Sequence, residues 1–134
     1  MDNHKDFDTV GHTNTHLVRR GWEAALGGDL DAISENLDPD VKWHGGDPTD
    51  PGACHNRDET LAFIRQATQR RPLPQLVDVR GAADKVVVIL RRPASPDSQP
   101  QLFANLTVLR DGKVVEMVHY DNPDEALAAV GLDQ

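Results

Sequence analysis

The hydrophobic residues first fall into a regular spacing just after Thr13. Leu17, Val18, Trp22, Ala25 and Leu26 recur at intervals of three and four, which places them on one stripe of an amphipathic helix. Gly27-Gly28 closes that stripe, since glycine takes the left-handed backbone on which helices end. Residues 1–12 carry no period and are expected to form a flexible N-terminal tail, with a single domain over 13–134. Asp29 is a capping residue type, and Leu30, Ile33 and Leu37 would form the inner face of a short second helix that stops near Pro39. Val41 to Gly45 is the first expected strand.

A loop rich in Gly, Pro and Asp follows, and Asn56 or Arg57 then opens a third helix, RDETLAFIRQATQRR. Leu61, Ile64 and Ala67 or Thr68 line its stripe, and Pro72 and Pro74 end it. Beyond it the pattern is β. Strands are expected over Leu76 to Arg80, Lys85 to Arg92, Leu102 to Arg110 and Val114 to Tyr120. The run VVVIL in the second of these has no polar side and must be buried on both faces. Asp111-Gly112 joins the last two as a hairpin, PASPDSQP is a connector, and Asn122-Pro123 starts a terminal helix, DEALAAVGL. Helices, a strand, a helix and then consecutive strands predict an α+β fold, with helices grouped on one face of a mainly antiparallel sheet. A curved sheet roofed in this way encloses a cone, and the loop from Gly45 to Ala53 would form its rim with His44 at the root.

Composition narrows the function. A net charge of −8 over 134 residues lacks the basic face that nucleic acid requires, and no apolar run approaches membrane-spanning length. The polar start, without a basic segment leading into an apolar one, makes a cytoplasmic location the expectation. The lone Cys54 excludes an internal disulfide. His44, Cys54, His55 and His119 are metal-ligating types, but no two of them stand at C-x-x-C or H-x-x-x-H spacing, so neither metal nor cofactor is expected. Neither G-x-S-x-G nor a phosphate-binding loop is present.

Four segments in order, GGDLDAI, DPDVKWH, HNRDETLAFIRQ and RDGKVVEMVHYDNPDEALAAVGL, resemble the nuclear transport factor 2-like superfamily and its SnoaL-like branch of polyketide cyclases, ketosteroid isomerases and limonene epoxide hydrolases. The resemblance implies a cone-shaped, cystatin-like roll covered by three helices, and a homodimer built on strand faces the cone does not use. It places His44 at the isomerase's general base and Asn105 near its hydrogen-bonding acid, where an amide could donate to an oxyanion. It places Gly21 where the isomerase has a tyrosine, which argues against steroid isomerisation. His119 falls at a pocket aspartate of the hydrolases, whose Arg and Asp are replaced by the apolar VVVIL, against epoxide hydrolysis. The cyclase branch keeps an acid–base residue on the last strands, a role open to His119, His44 and Asp121.

The expected function is binding of a small, largely apolar organic molecule, with cofactor-free isomerase or cyclase chemistry at His44, His119, Asn105 and Asp121. Trp22, Trp43, Phe63, Phe103 and Met117 would form the wall. The alternative is a non-catalytic ligand-binding or dimerisation module of the same fold. Each imidazole also has a plainer reading: His119 as a hydrogen-bonded core histidine, His44 as an exposed strand end.

Overall fold

The computed structural model describes residues 4–70 and 73–132. Helix α1 (His4–Leu26) is followed by α2 (Leu30–Ser34), β1 (Leu37–His44), α3 (Arg57–Ala67), β2 (Gln75–Ala82), β3 (Lys85–Arg92), β4 (Gln101–Arg110), β5 (Lys113–Tyr120) and α4 (Pro123–Ala129). Two of these boundaries correct the expectation. Helix α1 begins at His4, so residues 4–12 are helical where a tail was expected. Once a stripe such as that after Thr13 nucleates a helix, each added residue costs little. Strand β1 begins at Leu37 and runs through Pro39, which an edge strand tolerates because its outer N–H groups need no partner.

Local chemistry sets the remaining ends. Gly28 (φ +86°) lets the N–H groups of Gly28 and Asp29 reach back to the carbonyls of Ala25 and Ala24, satisfying the end of α1. Asp29 then caps α2 by accepting from the Ala32 N–H, Asn56 caps α3 through the Glu59 N–H, and Asn122 caps α4 through the Asp124 N–H. The hairpin turn at Asp111 and Gly112 has positive φ at both positions, as a tight two-residue connection between twisted strands requires.

The sheet has the order β1-β5-β4-β3-β2, with β1 parallel to β5 and every other pairing antiparallel. Register shifts interrupt β1–β5, β2–β3 and β4–β5, and such irregularities bend the strands that carry them. Helix α1 packs chiefly across β2 and β3, and α3 packs against β1, leaving the helices splayed over one face. That face carries Val41, Val79, Val86, Val88, Leu90, Leu109 and Met117 with Val18 of α1 packed on them. Ala25, Ile33 and Ile64 join α1, α2 and α3 to one another.

Helix α4 does not share that face. Its Ala126 and Leu127 pack with Val87, Ala104, Leu106 and Val118 on the back of the sheet. The first three helices therefore roof the cone, and the fourth covers part of its outside. The interior strand β3 consequently has both sides covered, which is why Val86, Val87, Val88 and Leu90 are fully buried. Among the described residues no helix is long and apolar enough to cross a membrane.

Candidate functional site

A cavity of about 520 Å³ lies between the concave face of the sheet and the helices. Trp22, Trp43, Phe63, Phe103 and Met117 all line it. Three of them form an edge-to-face chain, Trp22 to Trp43 at 6.2 Å and Trp43 to Phe63 at 4.9 Å between ring centroids. Gly21 of α1 also lines the cavity, so no phenol projects there. The chain's single tyrosine, Tyr120, packs in the α4 layer on the other face.

Strand register decides where the polar candidates point. Thr107 pairs with Met117 and Asn105 with His119 across β4 and β5, so these four share the cavity face. Trp43 pairs with Met117 across β1 and β5, which sends the next residue, His44, to the back with Val118. The expected place of His44 at the cavity rim is thereby corrected. It is buried, its Nε2 lies 2.6 Å from Glu116 Oε2, and its Nδ1 accepts the Gly46 N–H at 3.0 Å. An acceptor at Nδ1 puts the ring proton on Nε2, where it donates to Glu116, so both nitrogens are used by the fold.

His119 lines the cavity and is differently placed. Its Nε2 lies 2.8 Å from Asp121 Oδ1, its ring rests 5.6 Å from that of Phe103, and its side chain is 38% exposed. Asp121, at 98% exposure, stands in solvent and does not itself line the cavity. With Nε2–H donated to the carboxylate, the lone pair remains on Nδ1, for which no protein partner occurs among the described residues. Asn105 is 2% exposed and lies beneath the wall. The Thr107 hydroxyl donates to its Oδ1 at 2.7 Å, and its Nδ2 is buried without an acceptor. The structure thus brings His119, Asp121 and Asn105 to one face and separates His44 from them.

The loop from Gly45 to Ala53 does not line the cavity, a second correction. Asp47 and Asp50 accept backbone N–H groups of Thr49 and Gly52, and these local turns carry the loop back along the sheet edge. There Cys54 exchanges two backbone hydrogen bonds with Trp43, at 3.0 and 2.8 Å. Burial pushes the Cys54 thiol above its ordinary pKa, the opposite of what a nucleophile needs. Among the described residues no three His, Cys, Asp or Glu gather to hold a metal ion.

The cavity opens instead among exposed Arg70, Arg92, Ser95 and Ser98. From the sequence, residues 93–100 were expected to be a connector only. One signal was available: Arg92 continues the alternate series Val86, Val88, Leu90 that faces the helices.

Solved structures similar to this chain include a nuclear transport factor 2-like protein from Mesorhizobium loti (18% identity, 84% of this chain and 93% of that one, TM-score 0.70). A SnoaL-like protein from Jannaschia sp. is 20% identical over 90% of this chain and 93% of its own, with a TM-score of 0.65. A de novo designed protein with a curved β-sheet matches as well, at 18% identity over 88% and 91%, with a TM-score of 0.65. The designed protein makes plain that likeness at this level speaks for the fold alone. No curated protein matches the chain. Residues 18–117 match the SnoaL-like domain family, and with that span covering most of the chain, the protein belongs to the SnoaL-like family of the nuclear transport factor 2-like superfamily.

Proposed function

We propose that the cavity binds a small, largely apolar organic molecule and that His119, held by Asp121, moves a proton on it in a cofactor-free isomerisation or cyclisation. The family includes polyketide cyclases and isomerases, and proton transfer next to a carbonyl is the step such reactions share. The observation that carries the reading is the His119–Asp121 pair on an aromatic-walled cavity, with Nδ1 left unpartnered. In the step itself, the C–H bond beside a carbonyl breaks, an N–H bond forms at Nδ1, and the electron pair moves onto the carbonyl oxygen. Asp121 steadies the imidazolium, which then returns the proton to the new position. The buried Asn105 amide fixes the Thr107 hydroxyl in the wall, and its free Nδ2 reaches an oxyanion only if the wall opens.

The second reading is binding without turnover. It is favoured by one observation, that His44 is turned away and leaves a single imidazole among the described residues that line the cavity. A panel of cyclic ketones and β-dicarbonyl compounds, screened for thermal stabilisation and then followed by NMR in deuterated water, separates the two. Catalytic competence predicts solvent exchange at the carbon beside the carbonyl, lost in His119→Gln with binding kept. Ligands that stabilise the native chain and never exchange would leave the binding module as the function.

The reading extends to a second copy of the chain. Half-exposed Leu102 and partly buried Ile89 lie on a stretch of the sheet's back that bears apolar side chains at the solvent boundary. A homodimer covering them is expected by light scattering, and a monomer would refute it.

A further inference from the structure

We propose that the cavity is built for an amphipathic carboxylic acid, its apolar body against the aromatic wall and its carboxylate at Arg92. This rests on the reading above, that a small organic molecule occupies the cavity. The first argument is electrostatic. The chain has 22 acidic and 14 basic residues, yet the charged residues that line the cavity are Arg70 and Arg92, with no Asp or Glu among the described lining residues. An acidic chain that lines a concave wall with arginines, and keeps the nearby Asp97 and Asp121 off that wall, favours an anion there.

The second argument is geometric. The Arg92 guanidinium lies 4.7 Å from the Phe103 ring centroid, and among the described residues no carboxylate pairs with it. Seated over the ring and unpaired with any carboxylate, the guanidinium keeps N–H groups with which Arg can meet a carboxylate through two parallel hydrogen bonds. Beside it Ser95 and Ser98 are held by mutual backbone hydrogen bonds of 2.9 and 3.2 Å, with their hydroxyl oxygens 2.8 Å apart. One hydroxyl donates to the other, so the second keeps a proton for an anionic guest. Phe103 touches both Arg92 and His119, and an acid anchored at the guanidinium therefore leads its chain past the imidazole.

The chain's two tryptophans, Trp22 and Trp43, both line the cavity, so intrinsic fluorescence reports its occupancy. The full chain is titrated at pH 7 and low salt with matched pairs, 4-phenylbutanoate against 4-phenylbutanol and dodecanoate against dodecanol. Each acid is expected to bind at least about tenfold more tightly than its alcohol. Arg92→Gln should reduce that ratio to near unity with the alcohol's affinity kept, and Arg92→Lys should keep part of it, because an ammonium has the charge without the fork. Added salt should weaken the acids alone. Arg92 is exposed, so unchanged melting temperatures are expected and serve as the folding control. Equal binding of acid and alcohol, or a preference that survives Arg92→Gln, overturns the carboxylate proposal and leaves the cavity reading standing. Failure of all four compounds to change the fluorescence overturns both.

Discussion

The two faces of one sheet carry two imidazole–carboxylate pairs of nearly equal length, 2.6 Å for His44–Glu116 and 2.8 Å for His119–Asp121. They differ in what is left over. On the back, His44 is 6% exposed in its side chain and gives Nε2 to Glu116 and Nδ1 to the Gly46 N–H, so it has no nitrogen for a ligand. At the cavity, His119 is 38% exposed and gives one nitrogen to Asp121. A short contact to a carboxylate does not mark an acid–base residue by itself. The state of the second nitrogen, and what volume it borders, separates a structural histidine from one available for chemistry.

The largest expected effect falls on the cavity side. His119→Gln should slow any proton transfer by about two to four orders of magnitude, the usual contribution of a positioned general base. Melting temperature and ligand affinity should stay near those of the native protein. His44→Ala should do the reverse. It removes a buried ring that is hydrogen-bonded at both nitrogens, so a loss of about 2 kcal/mol in denaturant unfolding is expected, with turnover per folded molecule unchanged. The comparison breaks if His44→Ala abolishes turnover at unchanged stability, because that would give the back face the chemistry.

How much of this was legible depends on the distance over which each feature is decided. The caps Asp29, Asn56 and Asn122, the Asp111-Gly112 turn and the bounds of Lys85–Arg92 are settled within a few residues, and the sequence displays them. The face of His44 is set by the parallel pairing of Trp43 with Met117, 74 positions further along the chain. That register has no local signature, and a slip of one residue inverts every side chain. His119 could be read as interior because Met117 beside it marks the apolar side of a single strand. The aromatic wall was visible by composition, since the chain has few large rings to place. The arginine opening was legible only in part: the alternate series Val86, Val88, Leu90 puts Arg92 on the helix side, but a guanidinium at a strand end looks the same in sequence whether solvent or a cavity lies beyond it. Helix α1 began earlier than its stripe for a related reason: periodicity reports burial, and a helix can outrun the part of it that is buried.

A smaller effect sharpens the cavity side of the comparison. Asp121 is 98% exposed, and solvent screens its pull on the imidazole. Asp121→Asn should therefore slow proton transfer by about threefold to tenfold, far less than His119→Gln, and leave unfolding free energy within about 0.5 kcal/mol of the native value. A loss as large as that of His119→Gln would mean that a bound ligand closes over Asp121 and strips away the screening.

The smallest expected effect belongs to a third pair, His55–Glu59, whose side chains are both about half exposed at the start of α3. The Glu59 carboxylate is held below its ordinary pKa of 4.5, chiefly because it accepts the His55 backbone N–H, with the His55 ring adding to the effect. A depressed folded pKa gives stability that is present above the ordinary carboxylate value and is lost as pH falls through the folded one. Melting temperature should therefore fall more steeply for the native protein than for Glu59→Gln between about pH 5 and pH 3, since glutamine keeps an acceptor for the N–H and has no proton to take up. Near neutrality, His55→Ala should cost less than His44→Ala even though each imidazole faces a carboxylate, because the His55 ring is half exposed, whereas His44 is a buried ring hydrogen-bonded at both nitrogens. Equal losses from the two substitutions would show that burial on the back of the sheet adds nothing to the His44 pair, and the contrast between the faces would then rest on the free nitrogen of His119 alone.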